Sequence, residues 1–401
     1  MTERFATSGP AAPAAAASRD RRLVIVAIFM VVLCSGAGFG LSQPLIALDL
    51  ERRGYDAATI GLMSSCSSLA AFLMGPVMAG LLARFGPTRL IAGGFSAYAV
   101  SLAVFPLAEG LWLLVILRLV QGAGFTIGWI LSESLLNHTA RDGDRGRLIG
   151  WYSAMFMSGM ALGPTILMLV GSTGMLPFLI GAGIVVFCLL IVLPVRWAYH
   201  GLRHAHGPRP AGGMLGLLWL APVGFVGAIM SGAAESIYFS LLPLYGLGVG
   251  LAESDAVILA TAFAVGAIVF QVPIGWLADR MGRLSLLAAV MVLGLAGTLA
   301  MAAAAPDMWL LLPTSFLCGG AVGGLYTVGL IVIGDRFAAG SLVLANSLFI
   351  MSYTTGTISG PPTAGLAMTL WPPHGFVGVV VGLQVLGLIV LLAHRARAGK
   401  G

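Results

Sequence analysis

Three ionisable side chains sit where the surrounding sequence is almost purely apolar: Arg118 in "LVILRLVQGAG", Glu133 in "WILSESLLN" and Glu235 in "SGAAESIYFSLLPLY". A charge within a membrane span costs about 3 kcal/mol or more, so each implies a partner or a water-filled cavity. Arg118, Gly122, Phe125, Trp129 and Glu133 follow helical spacing and form one stripe. Arg118 lies eight residues into its apolar run, about 12 Å along a helix, too deep for easy escape to an interface. Structural support, or coupling and anion binding, are both open to it. Glu133 is about a turn from the far end of the same run, where a solvated carboxylate paired with Arg145 or Arg147 competes with a functional one. Glu235 has Ser231 one turn back, Tyr238 one turn on and small neighbours, the makings of a cavity wall. Desolvation favours its neutral form, which makes Glu235 the candidate proton carrier. A carboxylate held by hydrogen bonds for structure is the competing reading.

Such side chains need long helices to carry them. Of 401 residues, 59% are hydrophobic and 9% are Asp, Glu, Lys or Arg, against roughly 25% charged residues in soluble domains. A backbone in lipid must bond within itself, so helix-length apolar runs predict an all-α polytopic membrane protein and not a barrel. Twelve transmembrane helices are expected near residues 23–48, 57–83, 89–107, 110–137, 147–171, 174–197, 214–247, 255–278, 284–304, 308–335, 341–370 and 375–394. Pro243, Pro361 and Pro362 leave the ends of spans 7 and 11 open.

The arginines orient the chain. Those of the tail, of the loops 2/3, 4/5, 6/7, 8/9 and 10/11, and of the C-terminus fall on one side, which the positive-inside rule makes cytoplasmic. The opposite loops carry only Arg52 and Arg53 as bases, among Asp49, Glu51, Asp56, Glu109, Glu253, Asp255 and Asp307. Both termini are therefore expected inside, and the net charge of +6 is this bias summed, with no nucleic-acid partner implied. Residues 1–20, rich in Ala, Pro and Ser, are expected to be a disordered cytoplasmic tail without a cleaved leader.

The sequence repeats. "RLIGWYSAMFMSGMALGPTILM" from Arg147 aligns with "LANSLFIMSYTTGTISGPPTAG" from Leu344, placing Gly159, Gly163 and Pro164 over Gly356, Gly360 and Pro361. Small residues four apart permit close helix crossings. The division expected is an N-terminal six-helix bundle at 21–198, a polar cytoplasmic linker at 199–213 and a C-terminal six-helix bundle at 214–401, the layout of carriers whose halves rock about a midplane site.

Two further motifs complete a family likeness. "GWLADRMGR" fits the pattern G-x-x-x-D-x-x-G-R at Gly275, Asp279, Gly282 and Arg283, and "LVILRLVQGAG" fits a fourth-span motif through Arg118, Gln121, Gly122 and Gly124. With "GMALGP" in span 5, the chain resembles the major facilitator superfamily (MFS) over nearly its whole length. Through "WILSESLLN", "RGRL" and "PIGWLADRMGR" it resembles the YcaD-type branch, for which no established substrate is implied. The resemblance implies that Arg118 supports the fold core and is linked to proton movement. Two departures stand out: Arg84 replaces the family's Asp in the first loop copy, and Pro164 is followed by "TILM" and not by the glycines of the antiporter signature.

Asp279 falls at a helix C-terminal end, whose negative pole disfavours an anion by about 0.3–1 kcal/mol. Gly282 permits a tight turn and Arg283 can fold back on the carboxylate, with Arg147 of span 5 expected nearby. Asp279, Gly282, Arg283 and Arg147 are thus the expected cytoplasmic gate; a solvated turn is the plainer reading. Gln121, Phe125, Trp129, Tyr238, Tyr326, Asn346 and Tyr353, with Arg118 and Glu235, are the expected substrate cavity, with core packing as the competing reading for Tyr326, Asn346 and Tyr353. No nucleotide loop, spaced Cys/His cluster or nucleophile elbow occurs, and His204 with His206 make too few ligands for a metal site. Neither a cofactor nor enzymatic activity is expected. The expected function is a monomeric, proton-coupled carrier of a small organic solute in the bacterial inner membrane, with export preferred; uptake of a small anionic metabolite, with Arg118 as counter-charge, is the alternative.

Overall fold

The computed structural model describes residues 12–141, 145–199, 222–336 and 339–398, with side chains for all of these except 12–19, 145, 146, 279, 339–344, 397 and 398. Among the described residues the chain is helical throughout: α1 (Ala12–Arg52), α2 (Ala57–Phe85), α3 (Pro87–Val104), α4 (Leu111–Thr139), α5 (Arg145–Val170) and α6 (Leu176–Tyr199) form the first half. The second holds α7 (Pro222–Gly248), α8 (Glu253–Val269), α9 (Gln271–Arg280), α10 (Arg283–Ala304), α11 (Met308–Arg336), α12 (Ala339–Leu370) and α13 (Gly375–Ala398). α8 and α9 make one span, interrupted at Phe270.

Among the described residues, eleven spans are long and apolar enough to cross a membrane. α12 is not among them, since its middle is rich in Thr and Ser. Their hydroxyls are bonded one turn back, Thr354 to the Ile350 carbonyl at 2.8 Å, Thr355 to Met351 at 2.9 Å and Thr363 to Ser359 at 2.7 Å, which lowers the cost of burying them. Pro243, Pro361 and Pro362 lie inside helices that continue through them.

Two sequence expectations shift. α1 starts at Ala12, inside the tail expected to lack structure, because its Ala-rich run is the strongest helix former available. α6 runs through Tyr199, the first residue of the expected linker, whose remainder lies outside the described residues, as do residues 214–221.

Close packing follows the glycines. A Cβ on Gly159 or Gly163 would run into the α1 backbone between Leu33 and Leu41, and one on Gly356 or Gly360 into the α7 backbone at Ile229 and Ala233. Pro164 and Pro361 each follow the second glycine of their pair. α1–α5 and α7–α12 are therefore equivalent pairs in the two halves. The halves meet through α2 against α12, α5 against α8 and α1 against α7. At the first of these seams Gly61 abuts Pro361 and Gly365 abuts Ala57.

Candidate functional site between the halves

Arg118 is buried, at 2% exposure. Its Nε donates to the Met63 carbonyl at 3.1 Å, Nη1 to Gln121 Oε1 at 3.0 Å, and Nη2 to Gln43 Oε1 at 2.7 Å and the Ser64 carbonyl at 3.3 Å. Ser67 in turn donates to the Arg118 carbonyl at 3.2 Å. The guanidinium thus ties α4 to α1 and α2 through neutral dipoles, and among the described residues no carboxylate pairs with it. The cavity it borders, with Phe39, Tyr98, Gln121 and Phe125, measures about 10 Å³, the scale of a single water. Four of its five N–H groups are engaged, so the arginine acts as a fixed brace.

Beyond Arg118 along α4 the side chains turn aromatic. Phe125 lies 4.8 Å from Phe39 and 6.1 Å from Trp129, while Trp129 meets Phe156 edge-on at 4.3 Å and Tyr152 at 5.4 Å. Glu133, exposed, lies beside the Trp129 indole N–H. Neither Arg145 nor Arg147 supplies a described ion pair to it: the Arg145 side chain is outside the described residues and Arg147 is exposed.

Glu235 stands thirteen residues from either end of α7, half-buried. The Tyr353 hydroxyl of α12 lies beside its carboxylate, and the Tyr326 hydroxyl of α11 lies within electrostatic reach of both Glu235 and Glu133. Tyr326 packs edge-on against Tyr353 and against Phe349, both at 5.3 Å. Asn346 is half-buried two turns before Tyr353. Acidic side chains from both halves therefore lie within electrostatic reach of one tyrosine and, among the described residues, neither has an ion-pair partner.

Tyr238 does not line this space. Its hydroxyl bonds Thr298 at 3.0 Å, and its ring stacks on Phe263 at 4.5 Å inside the second half. Ser231 is likewise buried, donating to the Val322 carbonyl at 3.3 Å. One turn along a helix carries a side chain only to the same broad face, and here the neighbouring helices α8, α10 and α11 claim that edge.

Of the expected gate, only part falls among the described side chains. The Asp279 side chain lies outside the described residues, and Arg283 Nε pairs with Asp335 Oδ2 at 2.9 Å, within the second half. Gly282 is the N-cap of α10. His204 and His206 also lie outside the described residues.

A charged seal instead occupies the opposite end. Arg52, at the end of α1, pairs across the halves with Glu253, which also bonds the Ser172 hydroxyl, and Arg52 Nη2 donates to the Ser172 carbonyl at 2.6 Å. Arg53 pairs with Asp49 at 2.8 Å and donates to the Ala108 carbonyl at 2.7 Å. The Ala58 amide reaches Thr369 Oγ1 across the halves at 3.1 Å. Sequence reasoning missed this seal, although the signal was present: Arg52 and Arg53 are the two bases that break the charge bias.

Residues 28–257 and 224–401 match the family model described as Major Facilitator Superfamily. The chain is 29% identical over 371 residues to the uncharacterized MFS-type transporter YfkF of Bacillus subtilis, covering 90% of this chain and 94% of that protein. It is 27% identical over 364 residues to the uncharacterized MFS-type transporter YcaD of Escherichia coli, covering 89% and 92%. Among solved structures it resembles a variant of the nucleoside transporter NupG at 14% identity, with a TM-score of 0.80 over 92% of this chain and 99% of that one. It also resembles an inward-facing, unoccupied bacterial homologue of the lysosomal transporter Spinster at 14% identity, with a TM-score of 0.70 over 93% and 96%.

Proposed function

The chain belongs to the major facilitator superfamily of secondary transporters, and from that premise we propose that it moves a small organic solute across the bacterial inner membrane by alternating access, coupled to protons through Glu235. The observation that carries this reading is a half-buried acid at the midpoint of α7, beside the tyrosines Tyr353 and Tyr326, with no described ion pair to neutralise it. An ionised carboxylate there opposes closure of the halves around it, because closure strips its water. Protonation removes that cost, so proton occupancy shifts the balance between open and closed states. With both termini on the cytoplasmic side, the Arg52–Glu253 seal closes the outer end.

The solute that suits these walls is cationic or neutral, and carries an apolar or aromatic surface. Glu133 and Glu235 repel an anion, the rings favour a cation through their faces, and Arg118 is already bonded four ways. Uptake of an anion with Arg118 as counter-charge therefore has no observation in its favour.

The test uses proteoliposomes containing a pH-sensitive dye and a library of metabolites and drugs. A transported solute should change the lumenal pH, with acidification marking symport and alkalinisation antiport. Glu235→Gln should abolish that signal while retaining solute counterflow. A full proton signal in this variant would overturn the role of Glu235.

A further inference from the structure

The cavity of about 10 Å³ beside Arg118 is walled by four helices of the first half: Ser42 of α1, Ser67 of α2, Tyr98 of α3, and Arg118 with Gln121 of α4 supply its polar lining. All five are buried, at 5% exposure or less. Gln121 turns its Oε1 to the guanidinium at 3.0 Å, which leaves Nε2 to find a partner elsewhere. That nitrogen is itself buried and has no hydrogen-bond partner among the described residues. Because a buried donor without a partner carries its full desolvation penalty, an amide in this position beside a cavity points to a ligand that accepts from it.

The hydroxyls decide what that ligand is. Ser67 gives its hydrogen to the Arg118 carbonyl at 3.2 Å, and Ser42 gives its own to the Phe39 carbonyl at 3.0 Å. Ser42 and Tyr98 lie 3.4 Å apart, and with the serine hydrogen committed the tyrosine is the donor of that pair. The three hydroxyl oxygens therefore keep lone pairs, while Gln121 Nε2 keeps two hydrogens. A halide only accepts, and meets those lone pairs unfavourably; a metal cation is opposed by the guanidinium. Water both accepts and donates, and the volume is that of one molecule. We propose that this cavity holds one structural water, which accepts from Gln121 Nε2 and donates to the hydroxyl oxygens around it. Its effect is to fix the sense of the Gln121 amide: with Nε2 bonded to water, Oε1 stays on the guanidinium, whereas a flipped amide would set N–H against N–H. The water also brings Tyr98 of α3 into a brace whose direct bonds reach only α1, α2 and α4.

The experiment is crystallography of the full-length protein at a resolution that shows ordered water, with parallel crystals soaked in sodium bromide or pressurised with xenon. An oxygen-sized peak should stand about 2.7–3.2 Å from Gln121 Nε2 and from at least one of the hydroxyl oxygens. No bromine anomalous signal and no xenon should appear there, since xenon enters dry apolar voids. Gln121→Leu, which deletes the donor, should lose the peak; the wild-type crystals decide the point by themselves should that variant fold poorly. A bromine peak would overturn the assignment in favour of an anion site, and xenon in the cavity in favour of a dry void. Absence of any peak in the wild type, or an unchanged peak in Gln121→Leu, would overturn it equally.

Discussion

Position for position, the two halves handle charge in opposite ways. α4 and α11 are both 29 residues long and start 197 positions apart, so Arg118, Gln121 and Trp129 correspond to Ser315, Cys318 and Tyr326. Gly36 abuts Phe156 and Gly232 abuts Tyr353, which matches α1 to α7 so that Phe39 holds the position in the first half that Glu235 holds in the second. The edge-on aromatic pair survives in both halves, as Trp129 with Phe156 and as Tyr326 with Tyr353. What differs is ionic: the first half locks a cation among its own helices, and the second holds a half-buried acid without a described ion pair. A charge bonded on several sides braces a structure, whereas the proposed proton exchange at Glu235 needs an acid that is not locked in this way.

The sharpest way to break this contrast is to remove the brace. Arg118→Leu strands four acceptors and should cost about 3 kcal/mol or more, read as a large fall in the thermal unfolding midpoint, while Ser315→Ala at the matching position should cost about 1 kcal/mol. Equal losses would show that the halves are braced alike. Next comes Glu235→Gln, which should cut solute-driven proton flux at least about ten-fold, whereas Phe39→Leu should leave proton stoichiometry unchanged.

Charge selectivity sharpens the picture. Tetraphenylphosphonium should bind the purified protein and tetraphenylborate, matched in shape, should not; Glu133→Gln should weaken the cation about five-fold, on the order of 1 kcal/mol. Tighter binding of the borate would reverse the assigned polarity of the cavity, and would do so whether or not protons are coupled.

A smaller difference lies in the second span of each half. Asp56 caps α2, accepting the Thr59 amide at 3.0 Å, while Ala252 leaves α8 without a side-chain cap. Hydrogen bonds from the Thr59 side chain and then its amide hold the Asp56 carboxyl below its usual range. Its stabilisation is therefore full above the unfolded value of about 3.9 and lost as pH falls through the lower folded value. Asp56→Ala should cost about 1 kcal/mol at neutral pH, with the gap from wild type closing in acid. The least effect belongs to the seal. Arg52→Glu or Glu253→Arg should raise cysteine labelling of the central gap from the acidic end by no more than about five-fold, since partly exposed pairs are worth about 1 kcal/mol or less. Combining the two should restore the original labelling, and failure to do so would remove the pair from the closing mechanism.

Much of the fold was legible because burial in lipid writes itself into composition. Span limits fell within a few residues wherever a loop was polar, and the paired glycines lie where helices cross closely, since a backbone contact tolerates little else. The site was legible in part. Glu235, Tyr326 and Tyr353 lie near one another, whereas Tyr238 turns into the core and Arg283 takes Asp335 as its partner. The Arg52 seal was hidden because a cross-half pair leaves no local pattern, only an exception to the charge bias.

The sequence by itself determined twelve helical spans, their doubling, and which side chains are too costly to bury without help, because each follows from transfer free energies and helical periodicity along a single segment. Only the tertiary structure decided that Arg118 would be answered by Gln43 and the carbonyls of α2, that Glu235 would meet Tyr353, and which end would be sealed by charge. Periodicity fixes the face a residue presents; which helix lies against that face is settled by the packing of all the others.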